Sequence, residues 1–295
     1  MLYSLQEYLF GGQKKEVKWL SILDVNFGSE TRSLLYPILS YSNVESILIS
    51  FPSNWCRGIV AYYFQIYVTK NVIHRTIYPT GSTALSFGCD YNKPEALFFG
   101  MATFPREVEF PISGGHYFVT VFWPCMAYAF FPIPSSELVN RNISLDEILP
   151  RESERIKERL VFSKTFQERI HVFEKFLEGR TALLGKIPDR FLSLIEAIHH
   201  NSDYFRSEKS ARCICYSDRH IRRLFLKYIG VSPKLYTSMV RHQKTLRALN
   251  LNPHQDLAGL AFEQGYYDQS HFIKEFKRFQ GSTPVQFISK FIRIR

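Results

Sequence analysis

The spacing of hydrophobic positions changes character near residue 138. Before that point the apolar residues come in short runs of strand type. Ile47–Phe51 is an apolar run closed by Pro52. Residues 58–69, GIVAYYFQIYVT, are dense in β-branched and aromatic side chains. Ile73–Tyr78 ends at Pro79, and Thr80-Gly81-Ser82 has turn chemistry. Thr83–Gly88 and Ala96–Gly100 are further short runs. In His116–Trp123, Tyr117, Val119, Val121 and Trp123 fall on one side and Phe118, Thr120 and Phe122 on the other. Both sides are largely apolar, so this strand is expected to be covered on both faces. Short strands at this spacing predict a barrel or sandwich. Residues 1–45 carry no clear period, and 33–39 fits either a strand or an arm.

After Leu138 the period becomes helical. Ser144–Glu147 has the form of a capping box. Residues 151–178 contain neither Gly nor Pro, and Phe166, Ile170, Phe173 and Leu177, spaced four, three and four, form one seam on a helix. Such a seam packs either on the β-rich part or a neighbouring helix, or on a second protomer. Residues 179–188 have linker composition. Phe191, Leu194, Ile195 and Ile198 mark the next helix, and Ser207 stands where a cap would start another, running to Ile214.

Two similar helical units follow. Ser217 is placed to cap a helix with Ile221, Leu224, Phe225 and Tyr228 inside and Arg219, Arg222, Arg223 and Lys227 outside. Gly230 ends it. Ser232-Pro233 opens a longer helix to about Asn250, expected to bury Leu235, Met239, Leu246 and Leu249 and to turn Arg241, Lys244 and Arg247 outward. Leu257, Leu260 and Ala261 then give a short helix, Gly265 a left-handed turn and Asp268 a cap. Phe272, Phe276 and Phe279 form the buried face of the last of these helices, opposite Gln269, Ser270, Lys274, Lys277 and Arg278. Gly281 stops it and Thr283-Pro284 restarts the chain. The pattern is two helix-turn-helix motifs joined by one helix, and the two outward-facing helices begin 50 residues apart, at Asp218 and Asp268. A rigid connecting helix could hold them about one DNA turn, ~34 Å, apart.

Charge sharpens this picture. The chain of 295 residues has a formal net charge of +10. Residues 186–295 hold 19 Lys and Arg against 9 Asp and Glu, and residues 1–185 hold 18 against 18, so the whole excess lies with the paired motifs. That asymmetry is expected of a nucleic-acid-binding domain attached to a neutral one. The five cysteines are odd in number and show no framework, which predicts a reduced, cytoplasmic setting. No signal peptide is evident, and Tyr117–Pro134 is too interrupted by Pro124 and Pro132 for a membrane span. No phosphate-binding glycine loop, dinucleotide fingerprint, zinc-protease motif or nucleophile elbow is present, so no catalytic residue is assigned. His74 and His116 stand alone, Cys213-x-Cys215 lacks the spacing of a zinc loop, and neither a metal nor a cofactor is expected.

The last helical unit also resembles a known family. Ala261, Gly265-Tyr266, Asp268-Gln269-Ser270-His271-Phe272, Lys274, Phe276-Lys277-Arg278, Gly281, Thr283-Pro284 and Phe287 reproduce the signature of the AraC/XylS bacterial transcription regulators. The resemblance implies that 187–295 binds double-stranded DNA. Arg219, Arg222, Arg223, Gln269, Ser270 and Lys274 are the implied base readers, and Ser217, Lys244, Lys277 and Arg278 lie near the phosphate backbone. Activation, contact with RNA polymerase, a small-molecule effector and a homodimer are implied by resemblance alone. Pro79–Phe87, and Phe122–Phe131 leading to Ser136-Glu137-Leu138, resemble more weakly an uncharacterised N-terminal domain of some family members. Thr80 replaces the Asp of that pattern. In the first motif Ser210 precedes Ala211 where the family has Leu, and Cys215 takes the place of its turn Gly. A left-handed Cys there would cost about 1–2 kcal/mol unless the turn differs.

The expected architecture is therefore α+β and multidomain. Residues 1–135 form a β-rich regulatory domain, 136–186 a helical connector and linker, and 187–295 an all-α domain with two helix-turn-helix motifs. Whether the N-terminal half senses an effector, is catalytic, or only dimerises stays open at this level.

Overall fold

A computed structural model describes residues 44–68, 73–91, 94–110, 115–131, 133–181, 187–200 and 216–294. The strand-or-arm reading at 33–39, the helix opened by Ser207 and the turn at Cys215 lie outside these residues.

The strands are β1 (Val44–Ser50), β2 (Val60–Val68), β3 (Ile73–Ile77), β4 (Thr83–Gly88), β5 (Glu95–Phe99), β6 (Arg106–Phe110), β7 (Gly115–Phe122) and β8 (Asn142–Ser144). Six form an antiparallel sheet in the order β1-β2-β7-β4-β5-β8, and β3 pairs with β6 in a separate ribbon. The strand predicted from His116–Trp123 is central, between β2 and β4, with Phe118 opposite Gln65 on one side and Phe87 on the other. Its two-sided apolar pattern has a direct cause. Phe118 and Phe122 enter a core shared with helices, while Tyr117, Val119 and Val121 join a second buried layer on the other face. His116 is an ordinary sheet residue, bonded to Gln65 at 3.3 Å.

Helices α1 (Met126–Phe130), α2 (Ser135–Leu138), α3 (Leu145–Ile148), α4 (Pro150–Phe162) and α5 (Phe166–Glu178) follow β7. The capping box at Ser144 and Glu147 is present and starts α3. The seam on α5 faces the sheet. Ile170, Phe173 and Leu177 are buried, and the Phe173 ring lies 5.7 to 6.4 Å from those of Phe87, Phe118 and Phe122. These three side chains are thus core of the protomer, and the alternative of a dimer contact through them does not hold.

Three buried charged side chains lock this helical layer. Arg169 donates to the Leu160 and Ser163 carbonyls at 3.3 and 2.8 Å, at the C-terminal end of α4, and to Gln65 Oε1 at 2.7 Å. Cationic groups belong at helix C-termini, where partial negative charge collects. Arg180 does the same for α1, donating twice to the Phe130 carbonyl while pairing with Glu152. Glu174 accepts from the Ser53 N–H at 2.9 Å and the Tyr63 hydroxyl at 3.4 Å.

The C-terminal half holds α6 (Asp189–His200), α7 (Asp218–Tyr228), α8 (Pro233–Leu251), α9 (Leu257–Glu263), α10 (Gln269–Gln280) and α11 (Pro284–Ile294). Ser217, Ser232, Asp256 and Asp268 cap α7, α8, α9 and α10 by accepting backbone N–H bonds. Gly230, Gly265 and Gly281 have φ of +95, +74 and +74°, a conformation that side chains disfavour. The long helix α8 serves two cores. Its Tyr236, Met239 and Val240 pack with Phe191, Ile221 and Phe225 in the first unit. Its Leu246 and Leu249 pack with Leu260, Phe272, Phe276 and Phe287 in the second. Two expectations for α8 need correction. Arg241 is buried, because it pairs with a carboxylate on α10, and Leu235 is only half-buried. His242 is buried beside Phe276 and Phe279, and burial drives its pKa down to about 3.

Two outcomes follow from this packing. Phe173→Ala should lower stability by about 3–5 kcal/mol in urea unfolding of the full chain; a loss under about 1 kcal/mol would exclude the seam from the core. For His242 the folded pKa is lower than the unfolded one, so below about pH 6.5 the unfolded state binds the proton first. The stability this neutral imidazole permits is intact above that pH and is lost as pH falls toward 3. Unfolding midpoints at pH 7.5 and 5 should converge in His242→Leu, and an unchanged difference would assign the slope to other groups.

Candidate nucleic-acid interface

The outward faces of α7 and α10 are built alike. Each begins at a capped N-terminus, and each buries an aromatic or aliphatic stripe at helical spacing. On α7 the stripe is Ile221, Leu224, Phe225 and Tyr228, leaving Arg219, Arg222 and Arg223 exposed. On α10 the stripe is Phe272, Phe276 and Phe279, all fully buried, leaving Gln269, Ser270, Lys274, Lys277 and Arg278 exposed. The polar side chains are therefore surface residues because the apolar ones face the two cores.

Local contacts fix some of these groups. Arg223 donates to His220 Nδ1 at 3.2 Å, and His220 in turn lies against Tyr216 with ring centroids 4.5 Å apart. This leaves Arg223 aimed while Arg219 and Arg222 project from the same helix. Lys227 on the last turn sits over the rings of Tyr128 and Tyr228, at 5.7 and 5.1 Å. Ser217 accepts the His220 N–H at 3.3 Å, and Asp268 accepts that of His271 at 2.7 Å. Lys244 lies half-buried on α8 and has an interaction of its own.

The orientation of α10 depends on a clamp that periodicity does not reveal. Arg241 of α8 reaches both carboxylate oxygens of Glu275 on α10, at 3.0 and 3.1 Å, with both side chains nearly dry. Its guanidinium stacks over the Tyr266 ring at 4.7 Å and donates to the Gly265 carbonyl at 3.4 Å. Burial pushes the Tyr266 phenol up, so it stays protonated beside Thr245. His271 lies 3.6 Å from Glu275 and accepts the Tyr267 N–H at 3.4 Å. Turn, connecting helix and α10 are thereby joined at one point. Arg241 could not be assigned from sequence, since its period on α8 matches that of exposed polar residues. Phe262 and Tyr267, both more than four-fifths exposed, also border this unit and were not singled out.

Among the described residues no group of His, Cys, Asp and Glu is arranged to hold a metal, and no helix is long and apolar enough to cross a membrane. The cleft between the sheet and the first helical unit is lined by Phe98, Met101, Cys125, Tyr128, Ser135 and Tyr228. It has free space for about one water molecule.

Comparison with known proteins bears on both halves. Residues 210–290 match the family described as Helix-turn-helix domain, and residues 51–144 match a Domain of unknown function (DUF6597). An uncharacterized HTH-type transcriptional regulator of Haemophilus influenzae is 28% identical over 107 residues, 36% of this chain and 36% of the relative. The match thus spans about a third of that relative's length. Solved structures of ToxT from Vibrio cholerae are also similar. An apo variant has a TM-score of 0.38 at 12% identity, covering 84% of this chain and 99% of that one. The unsaturated fatty acid bound wild-type ToxT has a TM-score of 0.35 at 10% identity, covering 84% and 96%.

Breaking the clamp from one side should be expensive. Glu275→Gln leaves Arg241 buried without a counter-charge and is expected to cost about 3–5 kcal/mol, whereas Arg241→Met with Glu275→Leu should recover most of it. Denaturant midpoints of the three proteins decide this. A single-variant loss below about 1 kcal/mol would show that solvent already screens the pair.

Proposed function

We propose that this chain, whose residues 210–290 match a helix-turn-helix family, is a sequence-specific DNA-binding transcription regulator of AraC type. The observation that carries the reading is the pair of exposed, cationic and polar faces on α7 and α10, held on one shared helix. In this reading each of the two helices enters a major groove, the grooves lying one turn apart on the same side of the duplex. Arg219, Arg222 and Arg223 suit guanine, whose O6 and N7 accept a guanidinium. Gln269 suits adenine, with Ser270 and Lys274 beside it. Lys277 and Arg278, on the last turn of α10, contact phosphates, with Lys244 a further backbone contact from α8. Ser217 acts on the backbone indirectly, by capping α7.

The regulator works in the cytoplasm and raises transcription, with RNA polymerase as its further partner. These points rest on the family resemblance. The β-rich half answers to a small-molecule effector. An effector entering the cleft beside Tyr128 and Tyr228 would have to open it, since the cleft now admits about one water. A homodimer, where formed, uses a surface other than Ile170, Phe173 and Leu177, which the protomer buries.

Selection from a randomised duplex library tests the core of the reading. The full chain should enrich a two-part site. Arg222→Ala and Gln269→Ala should each cost about 1–3 kcal/mol on that site and relax one position of it, while Lys277→Ala should weaken specific and random DNA alike and lower the salt slope by about 0.9. Equal losses on specific and random DNA for all three variants would rule out base reading by these helices.

A further inference from the structure

The β-rich unit packs closely on the first helix-turn-helix unit. Met101 and Cys125 complete that unit's core, buried among Phe225, Ile229 and Tyr236. The Tyr128 ring meets Tyr228 edge-on at 4.9 Å and lies under the Lys227 ammonium. The Ser135 hydroxyl donates to the Tyr228 carbonyl at 2.9 Å. Tyr228 ends α7, so this bond from another unit satisfies a carbonyl that the helix itself leaves open. Beyond it, Gly230 allows no side chain. A Cβ there would stand 2.5 Å from the Ser135 carbonyl oxygen and 2.7 Å from Val139 Cγ2. Farther along, Gln243 of α8 donates to the Pro79 carbonyl at 2.8 Å. The second unit meets the β-rich unit at Pro105, beside Gly281.

The segment that touches α7 is itself tied to the sheet. The Gly100 N–H at the end of β5 donates to the Arg141 carbonyl at 3.0 Å, and a Cβ on Gly100 would overlap the Leu138 carbonyl. Asn140, at φ +57°, accepts the Thr103 N–H and donates to the Thr103 hydroxyl, both at 2.8 Å. Its own N–H donates to the Met101 carbonyl at 2.9 Å, and Arg106 bonds its carbonyl. A left-handed Asn doubly bonded in this way is a fixed corner. Hydrogen bonds and close packing therefore run without a gap from β5 through Ser135–Val139 to the C-terminal end of α7.

We propose that Ser135–Val139 is a positioning strut for the first recognition helix. It sets where α7 lies in the groove, so the β-rich unit governs base reading by Arg219, Arg222 and Arg223, while α10 is oriented chiefly by the Arg241–Glu275 clamp. Ser135, Tyr128 and Gly230 are positioning residues that act through α7. The inference rests on the reading that α7 and α10 each read bases.

The test uses the full chain on its selected duplex and on duplexes with single base changes in each half. The half read by α7 is identified as the one altered by Arg222→Ala, and the other by Gln269→Ala. Ser135→Ala combined with Tyr128→Leu should reduce discrimination in the α7 half at least about fivefold and leave the α10 half within about twofold. Gly230→Ala should act in the same direction, and where it fails to fold the double variant decides. Equal losses in both halves, or no loss in either, overturn the strut while leaving the regulator reading intact. If the wild-type chain enriches no sequence, both fall together.

Discussion

A guanidinium cannot shed its proton, so Arg241, once buried, must keep a counter-charge. That requirement fixes α10. Glu275 supplies the charge from the face of α10 next to the phenylalanine stripe, so the salt bridge and the core demand the same rotation of the helix. Phe272, Phe276 and Phe279 alone would tolerate small slides along α8, because apolar contact is not directional. Two N–H donors meeting two oxygens are directional, and the stacked Tyr266 ring and the Gly265 carbonyl add further restraint. The exposed row of Gln269, Ser270 and Lys274 inherits its direction from this arrangement.

The same logic governs the β-rich half, with helix dipoles in place of a carboxylate. Arg169 and Arg180 close the C-terminal ends of α4 and α1; Arg169 thereby fastens the helical layer to the sheet at Gln65, and Arg180 ties the end of α5 to Phe130 of α1. The half with zero net charge is thus rich in buried charge that serves architecture. Under the proposed function, its influence on DNA passes through geometry, because it offers no net attraction to phosphate.

What could be read from sequence divides along this line. Ser144, Ser217 and Asp268 were legible as caps, Gly265 and Gly281 as turns, and β7 as a strand covered on both sides, because each depends on its neighbours in the chain. The seam on α5 was legible as a face, but spacing does not say what covers a face, and the sheet does so through Phe87, Phe118 and Phe122. Arg169, Arg180, Glu174 and Arg241 were not legible. Their partners lie 34 or more residues away in the decisive bonds to Gln65, Phe130, Tyr63 and Glu275, and by period alone a charged residue counts as exposed. The short helices α1 and α2 span five and four residues, too few to display a period. The start of α1 at Cys125, held left-handed at φ 65°, has no sequence signal of the kind Gly or Asn provides.

The two recognition helices are consequently held by different means. For α10 the directional restraint, the Arg241–Glu275 clamp, lies within the C-terminal half, while Phe279 shares a core with Met101 and Cys125. For α7 part of it comes from outside, since its last carbonyl is satisfied by Ser135 and its core is completed by Met101 and Cys125. In the proposed reading, a domain that helps hold one of two base-reading helices can control binding without covering a DNA surface. Shifting the proposed strut would move α7 against α10. On a duplex whose repeat is rigid, a shift along the axis by even part of the ~3.4 Å base-pair rise separates the heads from their register. Under that proposal, close packing at Gly230 and Gly100 matters more than attraction. A contact without slack transmits a displacement, and a loosely packed one absorbs it.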